Sequence, residues 1–229
     1  MVVAPPQGRP SPDRPRGSKK IVKIEREIMK QNPVFSDSDL ISRLEGKITF
    51  AEVPDKWQPI QGTFTRKPVE GIDGASVIDL PDFRTPANLF TELGRIGQVG
   101  TIKSAPEIEV AQWSYSTFPT DSPKAWHLHG LRDGQWDCWA IVPYPGMILR
   151  VGLWDIRKKS PTSDAKVKID FDDSGTHLVL IPPGVAHGVC AFERQGILFY
   201  ITTKMFDKQH PDEGRIPWDM EDRDFWLKR

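Results

Sequence analysis

From about Gly71 onward the chain is cut into short runs of β-branched and aromatic residues, interrupted by glycine, proline, aspartate or serine roughly every eight to twelve residues. A helix needs a longer uninterrupted stretch with a 3.6-residue period, so this rhythm predicts antiparallel strands in a β-sandwich or barrel. In Lys166-Val-Lys-Ile-Asp-Phe-Asp172 the apolar residues Val167, Ile169 and Phe171 alternate with charge, which predicts one buried and one wet face. His177-Leu-Val-Leu-Ile181 and Gly196-Ile-Leu-Phe-Tyr-Ile201 are apolar at successive positions instead. Such strands are expected where a barrel interior meets a second sheet or a subunit.

With 229 residues, 38% of them hydrophobic, the chain can bury one substantial core, with or without a small appendage. Residues 1–20 are rich in proline and basic side chains and are expected to form a disordered tail. Residues 21–70 read as an N-terminal extension. A short helix is expected on Ile21, Ile24 and Ile28, ending at Asn32-Pro33, and a second follows the capping signal Ser36-Asp-Ser-Asp39. Residues 71–229 form the predicted barrel. Thirty-one basic residues balance thirty-one acidic ones, so no overall field draws the chain to nucleic acid or to an anionic membrane. No run approaches the ~20 apolar residues of a membrane span, and the N-terminus lacks the apolar core of a signal peptide, which predicts a cytoplasmic protein. Cys138 and Cys190 sit in apolar stretches without metal-type spacing and are expected to be reduced core residues. The sequence contains neither a Gly-rich phosphate loop nor a nucleophile elbow.

Two segments about sixty residues apart carry the chemistry: Lys124-Ala-Trp-His-Leu-His129 and Pro182-Pro-Gly-Val-Ala-His187-Gly188. Imidazole is the side chain best suited to proton transfer near neutral pH. Side chains alternate along a strand, so His127 and His129 face the same way, and Gln112 and Ser114 can do so on a neighbouring strand. Each of these residues also has a plainer reading. A strand histidine is commonly a hydrogen-bonded core or surface residue, Tyr200 taken alone is a packing residue, and Trp126, Trp136, Trp139 and Trp154 are core filler apart from one expected to stack on a ligand.

The segments Val77-Ile-Asp-Leu-Pro-Asp-Phe83, Phe90-Thr-Glu-Leu93, Val110-Ala-Gln112, Lys124-Ala-Trp-His127, Asp155-Ile-Arg-Lys-Lys-Ser-Pro-Thr162, Ile181-Pro-Pro-Gly-Val-Ala-His-Gly188, Leu198-Phe-Tyr200 and Arg215-Ile-Pro-Trp-Asp219 follow one another over roughly 150 residues. In order and spacing they resemble the dTDP-4-dehydrorhamnose 3,5-epimerase family. That resemblance implies a mainly β chain, a cupin-type double-stranded β-helix or jelly-roll barrel, here with a short, partly helical N-terminal extension. It further implies a homodimer acting on a nucleotide-linked 4-keto-6-deoxysugar without a cofactor. The family's base corresponds to His127, its phosphate-contacting arginine to Lys124, and its tyrosine acid, thirteen residues past the turn histidine, to Tyr200.

The chain also departs from that pattern. Arg84-Thr-Pro-Ala87 stands where the family has Asp-x-Arg-Gly. The lysine that stabilises enolate charge in the family, ten residues after the base, falls on Asp137. The chain ends at Arg229, short of the segment that carries the aspartate partner of the base, so Asp219, Asp222 and Asp224 become candidates to orient His127. Epimerisation beside a ketone needs a base, a donor on the opposite ring face, and charge to hold the enolate oxygen. The candidates are His127 as base and Tyr200 as donor, with His187, His129, Lys204 and Arg150 for the oxygen; Lys124, Gln112 and Asp137 complete the substrate-binding set. Two other readings stay open. Metal-binding cupins use a His-x-His pair, an acid and a turn histidine, which here are His127, His129, Asp133 and His187, a set suited to iron, manganese or zinc. A binding module that has lost catalysis is the other.

Overall fold

The computed structural model describes residues 64–84, 89–97, 99–130, 134–220 and 222–228. The tail and the two helices expected on residues 21–46 lie outside these. The described strands begin with β1 (Thr65–Pro68), β2 (Ser76–Leu80), β3 (Asp82–Arg84), β4 (Leu89–Thr91), β5 (Thr101–Ile102), β6 (Ala105–Glu109) and β7 (Gln112–Phe118). They continue with β8 (Lys124–His129), β9 (Asp137–Ile141), β10 (Ile148–Asp155), β11 (Lys166–Asp172), β12 (Thr176–Ile181), β13 (Val185–Phe192), β14 (Gly196–Thr202) and β15 (Glu213–Arg215). A 3-10 turn at Arg223–Trp226 follows. The first described strand thus starts ahead of Gly71.

Two antiparallel sheets carry the fold: a six-stranded one in the order β1-β2-β12-β9-β14-β7, and a five-stranded one in the order β11-β10-β13-β8-β15. Leu149, Val151 and Leu153 from β10 meet Trp139, Val179, Ile181 and Leu198 from the opposite sheet, forming the inner core. Each fully buried aliphatic side chain there contributes about 1.5–3 kcal/mol.

The burial pattern explains both kinds of strand seen in the sequence. On β11, Phe171 is buried while Lys168, Asp170 and Asp172 are exposed, as alternation requires. On β12, Val179 and Ile181 point inward, whereas Leu178 and Leu180 pack outward against Ile102, Ala105 and Ile108 of the β5–β6 hairpin. On β13, Val185 and Val189 point inward, while Ala186 and Cys190 join Trp126, Phe225 and Trp226 in a third apolar layer. The continuous apolar runs are therefore covered by the chain's own hairpin and C-terminal turn. Strand β14 is covered less completely, with Leu198 inward and Ile197 exposed. Cys138 and Cys190 are free and buried, and burial pushes their thiols up to about 12 and about 11, which leaves them inert at neutral pH.

Local chemistry fixes the approach to the site. Val185 N–H donates to Pro182 O at 3.3 Å across a turn in which Gly184 takes φ +79, a conformation that favours glycine. Asp155, paired with Val185 across β10 and β13, is fully buried and accepts from Arg157 Nε at 2.8 Å, Ser160 Oγ at 2.5 Å and Thr162 Oγ1 at 2.6 Å. Those bonds hold its carboxyl well below the usual range against the opposing effect of burial. The Asp-x-Arg…Ser-Pro-Thr block is thus a structural clamp. Directly beyond His187, a Cβ on Gly188 would lie 2.2 Å from Ala125 Cβ and 2.9 Å from Ala125 Cα. Only glycine lets β13 approach β8 this closely.

Gly188→Ala is therefore expected to cost about 2–3 kcal/mol through overpacking. A thermal melt followed by circular dichroism should show Tm lowered by about 5–10 °C; an unchanged Tm would rule out the tight contact.

Candidate active site

Between the two sheets lies a cavity of about 320 Å³. Strand β8 sends Lys124, His127 and His129 into it, β13 sends His187, β9 sends Asp137, β14 sends Tyr200 and β7 sends Gln112, with Lys204 just past β14. Every catalytic and substrate-binding candidate except Arg150 thus lines one space. The alternation expected for His-x-His holds, because Trp126 and Leu128 point to the opposite, apolar layer. Gln112 and Ser114 share a face as expected, with Gln112 Nε2 donating to Ser114 Oγ at 3.1 Å.

The three imidazoles are brought together by strand register. His187 is paired with His127 across β13 and β8, and their ring centroids lie 6.4 Å apart in a stacked arrangement. The His129 and His187 rings are 5.5 Å apart. Each ring has one nitrogen committed. His127 Nδ1 lies 3.0 Å from Glu213 Oε1, His129 Nδ1 lies 3.0 Å from Asp212 O, and His187 Nδ1 lies 2.9 Å from Val185 O. A carboxylate or a carbonyl can only accept, so in each neutral ring Nδ1 carries the proton and Nε2 keeps its lone pair.

Burial lowers the pKa of His127 below its ordinary value, partly offset by the charge of Glu213. Complete burial pushes His187 down to about 4, against the opposing charge of Asp137, so His187 is neutral at pH 7. Burial alone would raise Glu213, but Arg215 and His127 outweigh it and keep the carboxylate ionised. Arg215 Nε donates to Glu213 Oε1 at 2.9 Å, which makes a chain from Arg215 through Glu213 to His127. Lys124 is lowered by desolvation; its Nζ donates to Ser116 Oγ at 3.0 Å and lies 5.7 Å from the centre of the Tyr200 ring.

Several expectations are revised. Arg150 does not line the cavity. It sits on the outward phase of β10, donating to Asp170 Oδ1 from Nε and to Oδ2 from Nη2, both at 2.7 Å, because its neighbours Leu149 and Val151 take the inward positions. None of Asp219, Asp222 and Asp224 reaches His127: all three are exposed, and Asp222 accepts from Phe225 N at 3.0 Å to cap the 3-10 turn. Their expected task falls to Glu213, which the sequence reading missed. Its only sequence signal is a position two residues before Arg215, on the same face of a short strand. Asp133 lies outside the described residues, as do the residues that follow Arg84 in the segment up to Ala87. Of the four tryptophans, Trp139 lines the cavity, its ring edge-on to His187 with centroids 5.1 Å apart, whereas Trp126 and Trp154 are packed in the outer layer. Trp136 packs against the layer beneath the β5–β6 hairpin.

A cupin-type barrel whose cavity brings a carboxylate-bonded histidine and a tyrosine from the facing sheet together holds groups of the kind that acid–base chemistry uses. Residues 110–226 match the model of the dTDP-4-dehydrorhamnose 3,5-epimerase family, and the chain belongs to that family. It is 32% identical over 151 residues to the spore coat polysaccharide biosynthesis protein SpsL of Bacillus subtilis, covering 66% of this chain and 92% of that one. It is 30% identical over 114 residues to the probable low-salt glycan biosynthesis epimerase Agl13 of Haloferax volcanii, covering 49% of this chain and 70% of that protein. The fold also matches the 4-keto-6-deoxy sugar epimerase NovW of Streptomyces spheroides, with TM-score 0.57 and 22% identity over 69% of this chain and 76% of that one. A Legionella pneumophila 3,5-epimerase solved with dTDP-4-keto-L-rhamnose matches with TM-score 0.56 and 19% identity, covering 68% and 78% of the two chains.

If Glu213 orients and charges the base, Glu213→Gln should lower kcat about 10-fold to 100-fold. It should also shift the acid limb of kcat/KM to lower pH, because loss of the carboxylate destabilises imidazolium. In the wild type that limb should already lie below 6.5, the ordinary value for histidine. A pH–rate profile checks both; a variant whose limb stays in place would show that Glu213 is only structural.

Proposed function

We propose that this chain inverts a carbon next to the ketone of a nucleotide-linked 4-keto-6-deoxysugar, through an enolate. The observation that carries this reading is the placement of His127 on the five-stranded sheet and Tyr200 on the six-stranded sheet, with both side chains lining the same cavity. A sugar ring held between them presents one face to each. His127 Nε2 takes the proton from carbon while the C–H electron pair moves into the enolate. Tyr200 Oη then gives its proton to the opposite face, and solvent reprotonates the phenolate and relieves the imidazolium. Lys124, Lys204 and Arg215 line the same cavity and supply positive charge for the diphosphate.

The substrate class follows the relatives, one of which was solved with a dTDP-linked keto sugar. Incubation with dTDP-linked 4-keto-6-deoxysugars in deuterated water, followed by NMR, separates the steps. Wild type should incorporate deuterium and form a new diastereomer. His127→Ala should slow both by about 10²-fold to 10⁴-fold. Tyr200→Phe should retain exchange and lose inversion. Ligand binding by wild type without any exchange would make the chain a binding module and overturn the enzymatic reading.

The partner and setting are proposed with it. Strand β7 ends the six-stranded sheet, and its Trp113 and Tyr115 are 60% and 68% exposed, next to the exposed Ile197 of β14. An aromatic edge of this kind is an aggregation hazard unless it is covered, and a second copy of the chain pairing along β7 covers it. Two free, buried thiols suit a reducing cytoplasmic setting. Among the described residues, no helix is long and apolar enough to cross a membrane. Light scattering should give a dimer mass for wild type and a monomer mass for Trp113→Glu; a monomeric wild type would contradict the pairing.

A further inference from the structure

Three side chains of metal-ligand type converge on one side of the cavity. The Nδ1 atoms of His129 and His187 are engaged by the backbone carbonyls of Asp212 and Val185, which leaves Nε2 as the ring nitrogen available to a ligand in each. Opposite them stands the Asp137 carboxylate, buried and crossing from the facing sheet, with Oδ2 3.5 Å from His187 Nε2. Gln135 Nε2 donates to Asp137 Oδ1 at 2.8 Å and Trp139 Nε1 donates to Oδ2 at 3.3 Å, which holds the carboxylate in this orientation. One ligand atom from each of the three residues lies within 4.8 Å of the others.

An imidazole lone pair facing a carboxylate oxygen at 3.5 Å is repulsive. A cation between them removes the repulsion. We propose that His129, Asp137 and His187 bind a divalent first-row transition-metal ion beside the base. Two imidazoles and one carboxylate favour such an ion over calcium or magnesium, which prefer all-oxygen sets. Nδ1–H donation from metal-bound histidine to a backbone carbonyl is the usual second-layer support. Metal–ligand bonds of about 2.0–2.2 Å require the three atoms to draw together, and His129 is the least buried of the three. His127 stands apart, tied to Glu213, so the ligand set differs from the His127, His129, Asp133, His187 arrangement expected from sequence.

A functional reason, resting on the proposed epimerase reading, points the same way. Asp137 occupies the position where the family resemblance places a lysine, and a bound cation restores positive charge next to the enolate oxygen.

The test uses the full chain, stripped with chelator, dialysed and titrated with Co²⁺ and with Zn²⁺ by calorimetry. Co²⁺ binding is also followed by visible absorption. One ion per chain is expected, with affinity reduced at least about tenfold by Asp137→Asn and by His129→Gln, and unchanged by His127→Ala. Circular dichroism confirms that each variant is folded. A readout that needs no variant is the Co²⁺-induced paramagnetic shift of the His129 and His187 ring protons, which should exceed that of His127. Failure of wild type to bind either ion, binding that survives both substitutions, or loss of binding in folded His127→Ala would each overturn the proposal. Metal binding without turnover of any keto sugar would keep the site and remove the epimerase; full turnover by stripped protein that binds no metal would do the reverse.

Discussion

The close pairing of β13 with β8 governs the rest of the structure. At Gly188 and Ala125 the two strands approach so tightly that no side chain fits between them, and this contact sets His187 directly opposite His127. The turn at Pro182–Val185 leads into β13, which β10 pairs on its other side, with Asp155 opposite Val185. The apolar layer on the outer face of the five-stranded sheet, with Trp126, Leu128, Ala186 and Cys190, then backs the histidine strands from behind. The cavity is a consequence of this arrangement, since a one-residue slip of β8 would turn His127 and His129 into the Trp126 layer.

Within the cavity, burial and charge work in opposite directions on neighbouring groups. Desolvation keeps His127 and His187 neutral and therefore basic or coordinating, while Glu213 and Asp137 each stand beside one of these rings and partly offset that effect. The two carboxylates differ in their surroundings. Glu213 is tied to Arg215 and can share an imidazolium charge, whereas Asp137 accepts from the neutral donors Gln135 and Trp139. One imidazole is thus equipped to accept a proton and the other to face a cation.

Much of this was legible in the chain. The strand rhythm after Gly71, the His-x-His pair and the Pro-Pro-Gly-Val-Ala-His-Gly turn led to the right fold and to residues that do share one cavity, because period-two alternation is a local property. Arg150 misled because its strand is apolar at almost every position, so alternation gives no phase and only packing shows which face is inward. Glu213 was invisible for a different reason. Its contact with His127 spans 86 residues and depends on a three-residue strand that pairs with β8 only in the folded state. The C-terminal aspartates looked like better partners on composition, but one of them caps a turn and all three remain in solvent.

The central claim is that Glu213 fixes His127 as a neutral imidazole with its proton on Nδ1 and its lone pair on Nε2 in the cavity. Long-range ¹H–¹⁵N correlation spectra of histidine-labelled protein at pH 7 report this directly, with His127→Gln supplying the assignment. The account predicts a protonated Nδ1 and an unprotonated Nε2 for His127; a ring protonated on Nε2 alone, or on both nitrogens, would contradict it.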